Sequence, residues 1–327
     1  MTWVDALRSS ITSACELLEV LDLTDHPELL VDQRPDFPMR VPRPFVSRMH
    51  VGCADDPLLR QVLSVQAERL QEPGFVQNPL DEQDGVIPGV LHKYASRVLL
   101  IVRGGCAVNC RYCFRRHFPY AQLTLTREHL KAAVDYVREN EAVTEVIFSG
   151  GDPLMADDES LHELFQMFGR IPHVKRLRVH TRLPVVIPDR VTEGLMRAIA
   201  EASVPVVCVL HINHAQEIDD TVRMAANALS SVCAWVLNQA VILQGVNATA
   251  DAQVELSEAL CTAGILPYYL NVLDRVEGAQ QFDVPAAQVA VIEAELLRRL
   301  PGFLVPKIVR EVAGSQHKMH WRETHTT

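Results

Sequence analysis

The chain of 327 residues has no long apolar run, and its opening, Met1-Thr2-Trp3-Val4-Asp5, lacks the basic region of a secretory signal. Secretion and membrane insertion are therefore not expected, and a reduced, cytoplasmic setting is. Excess positive charge is lacking too. A formal net charge of −10 argues against a nucleic-acid surface as the main business of the chain. No low-complexity tract or charge run breaks the sequence, and a hydrophobic content of 48% is ample for the core of one large domain or two modest ones. The last thing missing is a second pair of closely spaced cysteines. Cys15, Cys53, Cys208, Cys233 and Cys261 are scattered through apolar stretches and read as small core residues. A structural zinc site wants four ligands, usually as two pairs, so zinc is disfavoured.

What is present is the run Gly105-Cys106-Ala107-Val108-Asn109-Cys110-Arg111-Tyr112-Cys113-Phe114. Three thiolates hold three corners of a cubane iron–sulfur cluster and leave the fourth iron open to bind and reduce another molecule.

Around this loop the pattern is strand then helix. Val4, Leu7, Ile11, Cys15 and Leu18 are spaced for one amphipathic helix from Thr2 to about Leu21, and Asp56-Pro57 starts a second, running to about Leu70. The proline-rich stretch from Pro35 to Pro44 reads as extended loop. From about Val86, short apolar runs predict strands at Val98–Val102, Glu145–Phe148, Arg176–Val179, Val204–Leu210, Trp235–Ile242 and Leu266–Val272. Such alternation predicts βαβ units in a parallel sheet, an α/β partial barrel of six units. The expected organisation is an N-terminal helical region (1–85), the barrel (86–303) and a C-terminal strand with a lysine segment (304–327).

Ligand sites of parallel α/β folds lie at the carboxyl ends of the strands. There the sequence puts Cys106, then Ser149-Gly150-Gly151-Asp152, His180-Thr181-Arg182, His211 and Asp274, with Gln239 inside the fifth strand. Gly150 and Gly151 allow close approach of a ligand and Asp152 accepts from an amino group, although a plain tight turn reads the same way. Arg115 and Arg116 form a carboxylate-gripping fork or a solvated basic pair, and His117 is left structural or solvent-facing. Leu304 to Glu311 reads as a short strand, followed by a loop to Lys318. An amine placed there can hold an aldehyde cofactor, or simply be exposed.

Taken in order, the run Cys-x3-Cys-Arg-x-Cys-x-Arg-Arg, Ser149-Gly150-Gly151-Asp152, His211-Ile212-Asn213-His214, Asn238-Gln239 and Tyr268 to Asp274 resemble the lysine 2,3-aminomutase family. These are radical S-adenosylmethionine (radical SAM) enzymes that also use pyridoxal 5′-phosphate (PLP), and the resemblance covers about Val86 to Lys318. It implies a partial (β/α)6 TIM-like barrel. It implies that Cys106, Cys110 and Cys113 hold a [4Fe–4S] cluster, and that Ser149, Gly150, Gly151, Asp152, His180, His211 and Gln239 surround S-adenosylmethionine. Lys318, rather than Lys307, would carry PLP and act catalytically, with Lys93, Tyr94 and Arg97 around the phosphate and ring. The chain departs from the family pattern in lacking a glycine-rich stretch before Lys318.

By the same resemblance Arg115 binds the substrate carboxylate, while Asp274 and Glu311 bind the distal ammonium of lysine, Glu standing at the second position where the family has Asp. Two carboxylates and an arginine select a long diamino acid by charge at both ends. The implied activity is an isomerase reaction on L-lysine, in which hydrogen is taken from C3 and nitrogen moves from C2 to C3. The end of the chain nine residues after Lys318 resembles members that make (R)-β-lysine for attachment to elongation factor P by a separate lysyl ligase. The implied electron donor is a flavodoxin or ferredoxin. A homo-oligomer is left open, and no nucleic-acid or membrane partner is implied. The alternatives are an aminomutase for another amino acid or for free β-lysine, and a radical SAM enzyme of another kind.

Overall fold

The computed structural model describes residues 2–82, 85–120, 123 and 125–325. Nine strands form one open sheet in chain order: β1 (Val90–Tyr94), β2 (Arg97–Arg103), β3 (Glu145–Gly150), β4 (Arg176–Thr181), β5 (Val206–Leu210), β6 (Trp235–Val241), β7 (Leu266–Asn271), β8 (Lys307–Arg310) and β9 (Met319–His320). From β2 to β8 every neighbour is parallel, whereas β1 and β9 close the two edges as antiparallel hairpin arms. This is the open α/β barrel of the radical SAM type. The parallel run has seven strands, not six. The extra one is β8, from the segment expected to stand apart, because its apolar centre Ile308-Val309 is buried and pairs with Leu270 and Asn271 of β7.

Helices occupy the crossovers. After the short α1 (Trp3–Arg8), α2 (Ala14–Val20), α3 (Arg43–Val46) and α4 (Pro57–Arg60) come α5 (Arg127–Glu139), α6 (Asp158–Gly169), α7 (Leu183–Val186), α8 (Glu193–Ala200), α9 (Asp220–Val232), α10 (Ala250–Thr262) and α11 (Ala286–Arg299). Thr126, Asp157, Thr192, Asp219 and Thr249 cap α5, α6, α8, α9 and α10, each accepting from a backbone N–H three residues on.

Two N-terminal expectations are corrected. The helix expected over Thr2–Leu21 is two helices, because the Ser9-to-Ser13 stretch favours side-chain competition over helix and Ile11 pairs as an isolated bridge with Val41. The helix expected from Asp56 to Leu70 stops at Arg60, although Asp56 caps it as read. Beyond it the Gln61 side chain is drawn inward, and Val65 bridges to Val31 instead of turning again. The scattered cysteines are corrected as well: Cys208 alone is buried, whereas Cys15 and Cys261 are exposed. Ile11, Leu17, Leu23, Phe45 and Leu59 join the strand residues in one continuous apolar core.

Candidate active site

The carboxyl ends of the parallel strands open into a cavity of about 440 Å³, and every residue to which the family resemblance gave a site role lines it. The cysteine loop leaves β2 and is stitched to the turn after β3, Gly151 N–H donating to Arg103 O at 2.7 Å and Asp152 N–H to Gly105 O at 3.0 Å. Gly151 is required here, because a Cβ on it would sit 2.4 Å from the Gly105 carbonyl oxygen. Gly150 has φ +117° and equally little room, 2.6 Å from Arg103 O.

Burial, then neighbouring Cys113, raises the Cys106 thiol, and burial with Cys110 pushes Cys113 up to about 11. Three cysteines gathered on one loop suit the irons of a cluster, each of which takes one sulfur as thiolate. Among the described residues no three His, Cys, Asp or Glu side chains form a single-ion site. A cubane differs in taking each sulfur at a separate iron. Across the cavity the buried His180 Nε2, His211 Nε2 and Gln239 Oε1 have no partner among the described residues, so a polar ligand between the loop and β4–β6 fits. Burial first, then the Arg178 charge, drives His180 well down, and burial with Arg182 takes His211 to about 3, so both rings are neutral.

Asp152 is placed differently from expectation. Its carboxylate accepts from Thr181 Oγ1 at 2.7 Å, Arg182 N at 2.8 Å, Leu183 N at 3.0 Å and Leu154 N at 3.0 Å. Its lone pairs are spent tying the end of β3 to the end of β4.

The far part of the cavity is a buried chain of alternating charge. Arg115 Nε donates to Glu82 at 2.7 Å, Glu82 meets Lys93 at 3.0 Å, Lys93 meets Glu311 at 3.1 Å, and Glu311 meets Lys318 at 2.9 Å. Lys318 also donates to Asn271 at 3.1 Å and lies over the Tyr269 ring, while Tyr94 donates to Glu311 at 3.2 Å with Arg97 over its ring. These groups suit a phosphorylated aldehyde: an amine to hold it, an aromatic ring beneath, and cations beside it. Burial works against the Glu311 charge, but Lys318 and Lys93 overcome it and hold the carboxyl near 2. Asp274 is the opposite case. No described side chain hydrogen-bonds its carboxyl, and burial, against the pull of Lys318, raises it to about 7.

Arg115 and Arg116 do not form a fork. Arg115 faces the cavity, with Nη1 3.4 Å from Ser149 Oγ, whereas Arg116 turns away to Glu68 and Gly278 O. His117 is exposed, 3.2 Å from Glu277 O. Three buried charged residues that line the cavity were given no role from the sequence. Glu82 carries no local signal, since its partners lie on the Cys loop and on β1. Arg178, with a buried unpartnered Nε, sits inside an apolar strand pattern. Arg182 closes the His-Thr-Arg triplet and could have been read from its place at the rim.

Residues 100–229 match the Radical SAM superfamily model. The L-lysine 2,3-aminomutase of Escherichia coli is 48% identical over 97% of this chain and 93% of its own length. The chain belongs to the lysine 2,3-aminomutase family. The L-lysine 2,3-aminomutase of Haemophilus influenzae is 43% identical over 98% of this chain and 96% of its own, and that of Clostridium subterminale 30% identical over 97% and 76%. This aminomutase-family enzyme is an isomerase whose cofactors are a [4Fe–4S] cluster, S-adenosylmethionine and PLP. No helix among the described residues is long and apolar enough to cross a membrane.

Proposed function

We propose that this enzyme converts L-lysine to (R)-β-lysine, drawing one electron from a flavodoxin or ferredoxin and supplying its product for attachment to elongation factor P by a ligase. The observation that carries the substrate is Asp274, an acid whose carboxyl has no hydrogen-bond partner among the described residues, in the cavity that also holds Arg115 and Lys318. Such a carboxyl in one cavity with a buried arginine fits a molecule with an ammonium at one end and a carboxylate at the other. The named relatives above support the same substrate.

In this reading Cys106, Cys110 and Cys113 hold the cluster. Ser149, Gly150, Gly151, His180, His211 and Gln239 surround S-adenosylmethionine, with Asp152 fixing the glycine turn. Lys318 binds PLP covalently, and Lys93, Tyr94 and Arg97 receive its phosphate and ring. When bound, these groups supply a hydrogen-abstracting radical and a conjugated ring that spreads an unpaired electron. The chain's own work is alignment. Arg115, braced by Glu82, keeps its terminal nitrogens on the cavity side to orient the substrate carboxylate. Asp274 anchors the far ammonium, which sets C3 at a fixed distance from both ends. The neutral rings of His180 and His211 add no charge beside the reacting carbon, and their burial with Arg115 keeps that part of the cavity poor in water.

The test is an anaerobic assay of reconstituted enzyme with lysine, ornithine and glutamate, with chiral analysis of the product. Preference for lysine and formation of (R)-β-lysine are expected. A preference for glutamate would overturn the Asp274 assignment. Lys318→Ala should abolish the visible absorbance of bound PLP.

A further inference from the structure

Arg182, immediately after β4, is 5% exposed. Its Nη1 donates to Cys110 Sγ at 2.7 Å and to the Tyr112 hydroxyl at 2.7 Å, and its Nη2 donates to Gln61 Oε1 at 2.7 Å and Glu217 Oε2 at 3.0 Å. Glu217 is wholly buried, and its other oxygen accepts from Gln61 Nε2 at 3.1 Å and the backbone of Asn213 at 2.9 Å. Asn213 in turn donates to Tyr112 at 2.6 Å and Gln61 at 3.0 Å. Three separate parts of the chain, at Gln61, Cys110–Tyr112 and Asn213–Glu217, thus fix one guanidinium against one cluster ligand, with little solvent to screen it.

We propose that Arg182 is a positioning residue that sets the reduction potential of the [4Fe–4S] cluster through the Cys110 sulfur, with Glu217 as its counterweight. Reduction adds one electron, from the external donor, to the cluster and breaks no bond. The added negative charge spreads onto the cysteine sulfurs. A fixed cation that hydrogen-bonds one of those sulfurs stabilises the reduced state more than the oxidised one, so it raises the potential. A buried carboxylate 3.0 Å behind that cation offsets part of the effect. The Cys110 contact sets Arg182 apart from the other arginines near the loop: Arg111 and Arg116 donate to Glu68 and backbone carbonyls, Arg115 to Glu82 and Ser149, and Arg40 to the Cys106 carbonyl.

The inference rests on the cluster being present, so iron and sulfide content are measured first. Wild-type protein without a cluster would refute that premise and not the role of Arg182. The midpoint potential is then read by dithionite titration followed by electron paramagnetic resonance. Arg182→Met should make reduction at least tenfold less favourable, a negative shift of about 59 mV or more for one electron. Glu217→Gln should shift the midpoint positively, and Arg182→Lys should fall between wild type and Arg182→Met. An unchanged midpoint in a cluster-replete Arg182→Met protein, or shifts of the same sign in Met and Gln variants, overturns the proposal. If Arg182→Met does not load a cluster, Glu217→Gln decides alone, and a midpoint that stays or falls overturns it.

Discussion

At the residue scale two acids in one cavity are held in opposite states by their neighbours. Glu311 lies between Lys93 and Lys318 and is charged, whereas Asp274 has a carboxyl raised to about 7. An ammonium ligand favours the ionised form of Asp274 and lowers its pKa on binding. Lysine affinity is therefore full above pH 7 and falls as pH drops below it, up to about tenfold per unit, with a proton released on binding near neutrality. Calorimetry of lysine binding between pH 5.5 and 8.5 checks this, and Asp274→Asn should bind weakly with a flat profile. The Glu311 pKa is shifted the other way, and the consequence is for folding. Its pKa is depressed from 4.5 to about 2, so its ion pairs stabilise the protein above pH 4.5 and that stabilisation is lost as pH falls towards 2. Glu311→Gln should accordingly lower the melting temperature at pH 7 and make little difference near pH 2. The family resemblance assigned Glu311 and Lys318 to one site, and both line the same cavity. It could not show that they pair with each other and with Lys93, 218 residues from Glu311, because no local pattern encodes such a contact.

At the scale of elements, the strands were legible because each is a short run rich in apolar residues between helices with the 3.6-residue apolar repeat, and the six expected runs match β2 to β7 within a few residues. The unforeseen strands, β1 and β9, are edge arms whose mixed composition, Val-Leu-His-Lys-Tyr and Met-His, announces no alternation. The N-terminal helices failed for a related reason: Ile11 and Val65 follow a helical spacing but find β partners in Val41 and Val31. The turn after β3 was legible as glycine-rich, though not its tight contact with the cysteine loop. That contact makes Gly151→Ala a sharp test. The added methyl meets backbone at 2.4 Å, where nothing flexible can yield, so Gly105 and the cysteine loop must shift. The variant should fold, with native far-ultraviolet circular dichroism, yet hold less than half the wild-type iron after reconstitution. Wild-type iron content would show that the loop tolerates the shift.

For the whole molecule, the N-terminal segment is the part that composition left without a role, and its contacts supply one. Phe37 O and Pro38 O receive Arg111, Arg40 reaches Cys106 O at 3.2 Å, Gln61 enters the polar network beside Cys110, and Glu68 pairs with both Arg111 and Arg116. The region before the barrel thus forms the outer wall of the cluster loop and shares the barrel's apolar core. Two tryptophans allow a direct test of that unity. Trp3 in α1 lies against Arg190 and Trp321, after β9, donates to Glu293 at 3.1 Å, so they report on the two ends of the chain. Variants keeping only Trp3 or only Trp321 should show coincident urea transitions. Glu68→Gln, which removes the countercharge of two buried guanidiniums, should lower both by the same amount, about 3–5 kcal/mol. An earlier transition at Trp3, with Trp321 unmoved by Glu68→Gln, would make the N-terminal region a separately folding unit and remove its claim to stabilise the cluster loop.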